Sequence, residues 1–157
     1  MQNQQKVTSA GRGLPAGIRA ILAHTGKSRS LLRDEAIRNV TLNGVAGFRL
    51  RINLTSYRAL PLSCIEGLKL KVDGEEIDTA AALLILNGVS HKMADLSGLS
   101  RIWWFILDPA TIFVPCDTPL ACGHHRVDAT LITVEPYVTA GRFSFYQSDS
   151  KTLAVDE

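Results

Sequence analysis

From Ala36 onward, apolar and polar residues alternate with a period of two, the signature of half-buried strands. In Phe48-Arg49-Leu50-Arg51-Ile52-Asn53-Leu54 the alternation is strict. Phe48, Leu50, Ile52 and Leu54 are predicted to face a core, and Arg49, Arg51 and Asn53 to face water or a partner. Asn43-Gly44 separates Ile37–Leu42 from Val45–Leu54, and Asn-Gly between two apolar runs is the strongest short-range hairpin signal. Leu68-Lys69-Leu70-Lys71-Val72 repeats the pattern and runs into Asp73-Gly74, a second predicted hairpin that leads to Glu75–Ile77. Further strands are predicted at Ala82–Leu86, Arg101–Leu107, Thr111–Val114, Val127–Glu135 and Phe143–Tyr146. Asn87-Gly88, Asp108-Pro109 and Cys122-Gly123 punctuate them. No helix of useful length is predicted after residue 34. Short strands at such regular spacing fold most economically as an all-β domain, here an antiparallel β-sandwich of immunoglobulin-like or jelly-roll-like kind.

Residues 1–33 read differently. They are rich in Gln, Ser, Gly and Arg, and Pro15 followed by AGIRAILAH predicts a short helix with Ile18, Ile21 and Leu22 on one face. The expected organisation is therefore a basic N-terminal extension over 1–33 and a β-sandwich domain over 34–157. Three explanations of the extension stay open: a tail that orders against a partner, a transit-like segment, or a start codon placed too far upstream.

Charge sharpens that division. The chain has 157 residues, 46% hydrophobic and 20% charged, with a formal net charge of +2. Six of the 17 basic residues (Lys6, Arg12, Arg19, Lys27, Arg29, Arg33) fall in 1–33, where there is no acid. The remaining eleven face fifteen acidic residues, so the body carries a net charge of −4 and is not expected to bind nucleic acid. No apolar run reaches the roughly 20 residues of a membrane-spanning helix. Cys64, Cys116 and Cys122 are an odd number for a disulfide framework, and Ile18–Ala23 is too short for a signal-peptide core. The expectation is a cytoplasmic protein with free thiols, with no nucleic-acid or membrane partner.

Candidate chemistry is sparse. Cys122, His124 and His125 invite a metal site, but there is no second ligand pair, and adjacent residues on a strand point to opposite faces. Glu75, Glu76 and Asp78 sit at a hairpin, where acids are normally solvated. No Gly-x-Ser-x-Gly, phosphate-binding glycine loop or paired-acid spacing occurs. The chain is therefore expected to hold no catalytic residues, metal or cofactor of its own. On the predicted strand 101–107, Trp103 and Phe105 face one side and Trp104 the other. Exposed tryptophan anchors protein interfaces and also stacks on sugars. The alternative is a central strand covered on both faces. Tyr57 and Arg58, followed by the proline-stiffened Ala59-Leu60-Pro61-Leu62-Ser63, close the longest strand. Arg58 is suited either to gripping a carboxylate or sugar hydroxyl or to a structural salt bridge.

The order of motifs is IRNV (37–40), GFRLRI (47–52), YRALPLS (57–63), LKVDGEEI (70–77), WWFILDPATIFV (103–114) and LACGHHRV (120–127). Over roughly residues 36–138 it resembles the small β subunit of bacterial C-glycoside deglycosidases. That resemblance implies a β-sandwich subunit without catalytic residues, docked on a larger α subunit of TIM-barrel sugar-isomerase type in a higher hetero-oligomer. The α subunit would carry a divalent metal, typically manganese, and the catalytic base. The complex would cleave the carbon–carbon bond between a 3-oxo-sugar and an aromatic, flavonoid-type aglycone. The 3-oxo group acidifies the neighbouring C2 proton, base and metal stabilise the enolate, and the aglycone leaves from C1 once its ring carbon is protonated. Tyr57, Arg58 and Pro61 match the family motif and, with Trp103 and Trp104, are the expected partner-interface or active-site-supporting residues. The extension of about 30 residues departs from the family pattern. A stand-alone carbohydrate-binding or protein-interaction β-sandwich is the alternative, and a small metalloenzyme built on Cys122, His124 and His125 a third reading.

Overall fold

Three Asx-Gly turns start the fold. The computed structural model describes residues 30–135 and 143–156. Asn43, Asp73 and Asn87 adopt φ of 52°, 51° and 52°, and the following Gly44, Gly74 and Gly88 adopt 81°, 84° and 81°. Two successive positive φ values define the type I′ turn, whose twist matches the strands it joins. The hairpins are β1 (Ile37–Leu42) with β2 (Val45–Ile52), β4 (Ile65–Val72) with β5 (Glu75–Ile77), and β6 (Leu83–Leu86) with β7 (Val89–Lys92). The third turn was legible in sequence as a break, while the polar strand that follows it was not. Between the hairpins lie β3 (Leu60–Pro61), β8 (Trp103–Trp104) and β9 (Ala110–Pro115), and the chain ends in the long pair β10 (Gly123–Val134) and β11 (Ser144–Asp156).

The all-β expectation holds, with a correction to the topology. Instead of two separate antiparallel sheets, hydrogen bonding among the described residues runs through one nine-stranded sheet in the order β5-β4-β10-β11-β1-β2-β9-β6-β7, beside a two-stranded ribbon β3-β8. Within it, β5-β4-β10-β11 and β1-β2-β9-β6-β7 are each wholly antiparallel. They meet at a parallel seam recorded by two residue pairs, Ile37↔Val155 and Arg38↔Asp156. The 13-residue β11 makes this possible, since it pairs along its length with β10 and still offers its far edge to β1. Segment 30–34 secures the join: Leu32 N–H donates to Asp149 Oδ2 at 2.9 Å and Lys151 Nζ to Asp34 Oδ1 at 2.8 Å.

Inward side chains from both halves form one buried cluster, including Leu68 and Leu70 of β4, Leu84 and Leu86 of β6, and Val127, Ala129 and Leu131 of β10. A sheet this wide reaches that state by twisting and curling until its halves face each other. A register shift between Ile132 and Thr133 interrupts the pairing of β10 with β4 near the end of β10. Leu31 and Leu32 are already core residues, with Leu32 bridged to Ile52. Among the described residues, helical structure is confined to 3-10 turns, Leu62–Cys64 and Met93–Gly98. The helix expected after Pro15 and the rest of segment 1–29 lie outside the described residues.

Candidate interaction face

Register places two expected segments at one end of the curled sheet. Leu60 is paired with Trp104 and Pro61 with Trp103 in the β3–β8 ribbon. The ladder then continues irregularly, Leu62 N–H donating to Ile102 O at 2.8 Å and Ser63 N–H to Leu99 O at 3.1 Å. The YRALPLS and WWF segments, some 40 residues apart in sequence, are thus neighbours. Only two residues of the predicted strand 101–107 are strand. Pro61 has no N–H to extend the ladder, and Asp108 N–H turns back onto Phe105 O at 3.0 Å.

The two tryptophans separate sharply. Trp104 is 0% exposed and its Nε1–H donates to Asp108 O at 2.6 Å, so it is the plug under the ribbon and is not available for stacking on a ligand. Trp103 is 42% exposed and is followed by the exposed Phe105 and Leu107, with Ile102 on the other side. Large apolar side chains left exposed so close together in sequence are of the kind found at interaction sites. Alternation predicted that the two rings oppose each other, and packing put Trp104 inside. Leu107 and Ile102 were not singled out from sequence, although their place before Asp108-Pro109 in an otherwise apolar run was a usable signal.

Tyr57 and Arg58 lie on the connection into this ribbon, Tyr57 half-buried and Arg58 exposed. The backbone there is organised from below. Ser56 Oγ accepts the Arg58 N–H at 3.3 Å and donates to Glu135 Oε1 at 2.9 Å, while Thr133 Oγ1 donates to Glu135 Oε2 at 3.2 Å. Glu135 is 3% exposed. Burial pushes its carboxyl above the usual carboxylate range, and the Ser56 and Thr133 hydroxyls counter that only in part. This carboxyl is not legible in the sequence, because nothing in Thr-Val-Glu-Pro says that the strand end is covered.

The histidine pair lies at the opposite end of the sheet. His125 Nδ1 meets Asp73 Oδ2 at 2.6 Å and its Nε2 meets Ala121 O at 2.6 Å, while Asp73 Oδ1 accepts the Arg126 N–H at 2.9 Å. His125 therefore ties the start of β10 to the β4–β5 turn. Its pKa is raised, chiefly by the Asp73 carboxylate, and that of Asp73 is lowered by the same bond. His124 and Cys122 are exposed, and among the described residues no three His, Cys, Asp or Glu side chains gather as a metal site. Asn39 holds the incoming loop by donating to Leu120 O at 2.9 Å and accepting the Leu120 N–H at 3.0 Å.

Residues 28–137 match the family model described as "C-glycoside deglycosidase beta subunit". The 3'-dehydrocarminate deglycosidase beta subunit of a Microbacterium species is 39% identical over 114 residues, 71% of this chain and 86% of that protein. C-glycoside deglycosidase beta subunits of Microbacterium trichothecenolyticum and Arthrobacter globiformis are 32% and 30% identical, over 69% and 74% of this chain and 76% and 88% of theirs.

Proposed function

The chain belongs to the C-glycoside deglycosidase β-subunit family, and from that premise we propose that it is the supporting subunit of a heteromeric enzyme. It docks through the end of the sheet formed by the β3–β8 ribbon and the Tyr57–Arg58 connection. The observation that carries this reading is the pairing of Pro61 with Trp103 in a ribbon whose neighbouring residues Ile102, Phe105 and Leu107 are exposed. Exposed aromatic and aliphatic anchors on a hydrogen-bonded, core-plugged ribbon bind with little loss of conformational freedom.

The partner is a larger α subunit of TIM-barrel sugar-isomerase type that supplies the base and a divalent cation, manganese in our reading. That cation would polarise the 3-oxo-sugar as the carbon–carbon bond to the aromatic aglycone breaks. Among the described residues no three His, Cys, Asp or Glu side chains gather around a common point for such an ion, and the His125 ring is engaged by Asp73 and Ala121. The role assigned to this subunit is mechanical: Trp104 and the Ser56–Glu135 bond hold the ribbon and the Tyr57–Arg58 connection in one shape, ready for the partner. The reading places the complex in the cytoplasm.

The test is co-expression of a tagged chain with the large subunit encoded beside it. Wild type should co-elute with the metal-bearing subunit and cleave a 3-oxo C-glycoside, while Trp103→Ala and Phe105→Ala should release it. Cleavage by the isolated chain, or a complex indifferent to both variants, refutes the proposal. The carbohydrate-binding alternative now rests on Trp103, and glycan binding by the lone chain that Trp103→Ala abolishes would establish it instead.

A further inference from the structure

The outward face of β1 and β2 carries a second feature that the proposed docking end does not use. In the β1–β2 ladder Arg38 stands directly across from Arg49, and Arg51 follows two residues on, on the same face. Like charges placed opposite each other on neighbouring strands repel, and such a pair is unfavourable for folding alone. Arg38, Arg49 and Arg51 line an open cavity of about 520 Å3 with Thr111, Glu35 and Asp156.

The carboxylates do not neutralise this set. Glu35 is shared between Arg33 and Arg51, whose Nη1 lies 3.2 Å from Glu35 Oε2. Asp156 is the seam neighbour of Arg38, yet no ion pair or hydrogen bond engages the Arg38 or Arg49 side chain among the described residues. The Nε of Arg51 is buried with no partner. A buried donor left unpaired is unfavourable, and an acceptor entering the cavity would relieve it. Three guanidiniums on paired, hydrogen-bonded strands, with one hydroxyl beside them, match the multidentate geometry of oxyanion recognition.

We propose that the cavity walled by Arg38, Arg49 and Arg51 is a binding site for a doubly charged oxyanion, a dicarboxylate or a phosphate. The oxyanion comes either from a free small molecule or from acidic side chains of the partner subunit; the second source rests on the subunit role proposed above.

Two arms separate the sources. In the first, the full chain is titrated calorimetrically with succinate and with inorganic phosphate at fixed ionic strength. Saturable one-to-one binding is expected, weakened about tenfold by Arg38→Gln or Arg49→Gln and lost in the double variant. The unliganded variants should melt no lower than wild type, because each removes a repulsion, whereas a purely structural role for these arginines would lower the melting temperature. In the second arm, affinity for the large subunit is measured with the same variants across salt concentrations. A loss of about tenfold that shrinks at high salt, with no binding of either small anion, identifies the partner's carboxylates as the ligand. Variants that change neither measurement, or that melt well below wild type, overturn the site. The titration arm needs no partner, so failure of the subunit reading leaves it intact.

Discussion

The two adjacent tryptophans should have opposite phenotypes. Trp104 is fully buried and donates to Asp108 O at 2.6 Å. A buried tryptophan removes about 150–250 Å2 from water, and Trp→Ala in a core costs about 3–5 kcal/mol. For a domain whose total stability is about 5–15 kcal/mol, and for which 1 kcal/mol shifts the melting temperature by about 2–4 °C, Trp104→Ala should melt roughly 6–20 °C lower. Trp104→Phe keeps most of the ring but leaves the Asp108 carbonyl without its donor, for a loss of about 1–3 kcal/mol. Trp103, 42% exposed, should change the stability of the isolated chain by no more than about 1 kcal/mol when cut to alanine. As an anchor of the proposed interface, its removal should weaken assembly by about 2–4 kcal/mol, about 30- to 1,000-fold in Kd. Urea and thermal unfolding of the isolated chain, together with sedimentation or calorimetry of the complex, read both axes. If Trp103→Ala destabilises the chain as much as Trp104→Ala and leaves assembly unchanged, the division into plug and anchor is wrong.

Three further outcomes follow from the packing. A β-carbon at Gly47 would lie 2.3 Å from Val114 O and 2.7 Å from the Phe113 ring, so Gly47→Ala should force strands β2 and β9 apart and cost about 1–3 kcal/mol or more, seen as a lower urea midpoint. Burial raises the pKa of Glu135. Its stabilising contribution is therefore complete below the ordinary glutamate value and is lost as pH rises through the folded value. Glu135→Gln, which keeps an acceptor for Ser56, should equal or exceed wild type in stability at neutral pH and lose that advantage in acid. For the His125–Asp73 pair the signs are opposed. Raised His125 contributes fully below 6.5 and loses its contribution as pH climbs through the folded value, while lowered Asp73 contributes above 3.8 and loses it as pH falls through its own. The stability gap between wild type and Asp73→Asn should therefore be widest in mildly acidic solution and close on the alkaline side. A gap that is flat with pH in chemical denaturation would count against the ion pair.

Much of the architecture was readable because it is local. A period of two marks the inner faces of β2 and β4 without reference to anything else, and Asx-Gly pairs specify positive φ at three turns from their own sterics. The motif order alone sufficed for the family. Alternation also showed that Trp103 and Trp104 must face opposite ways, and that Arg49 and Arg51 leave the core. What alternation lacks is an origin: it cannot say which face a neighbouring segment covers. Trp104 is paired with Leu60, 44 residues earlier in sequence, and Glu135 is buried where it meets the Ser56 and Thr133 hydroxyls. Strand order, the parallel seam of β1 with β11, and the meeting of Arg38 with Arg49 depend on contacts between distant segments. The sequence by itself determined that this chain is a β domain and where its turns fall, since those are properties of neighbouring residues. Only the tertiary structure decided which side chains remain on the surface to meet another molecule, since exposure depends on what the rest of the chain does not cover.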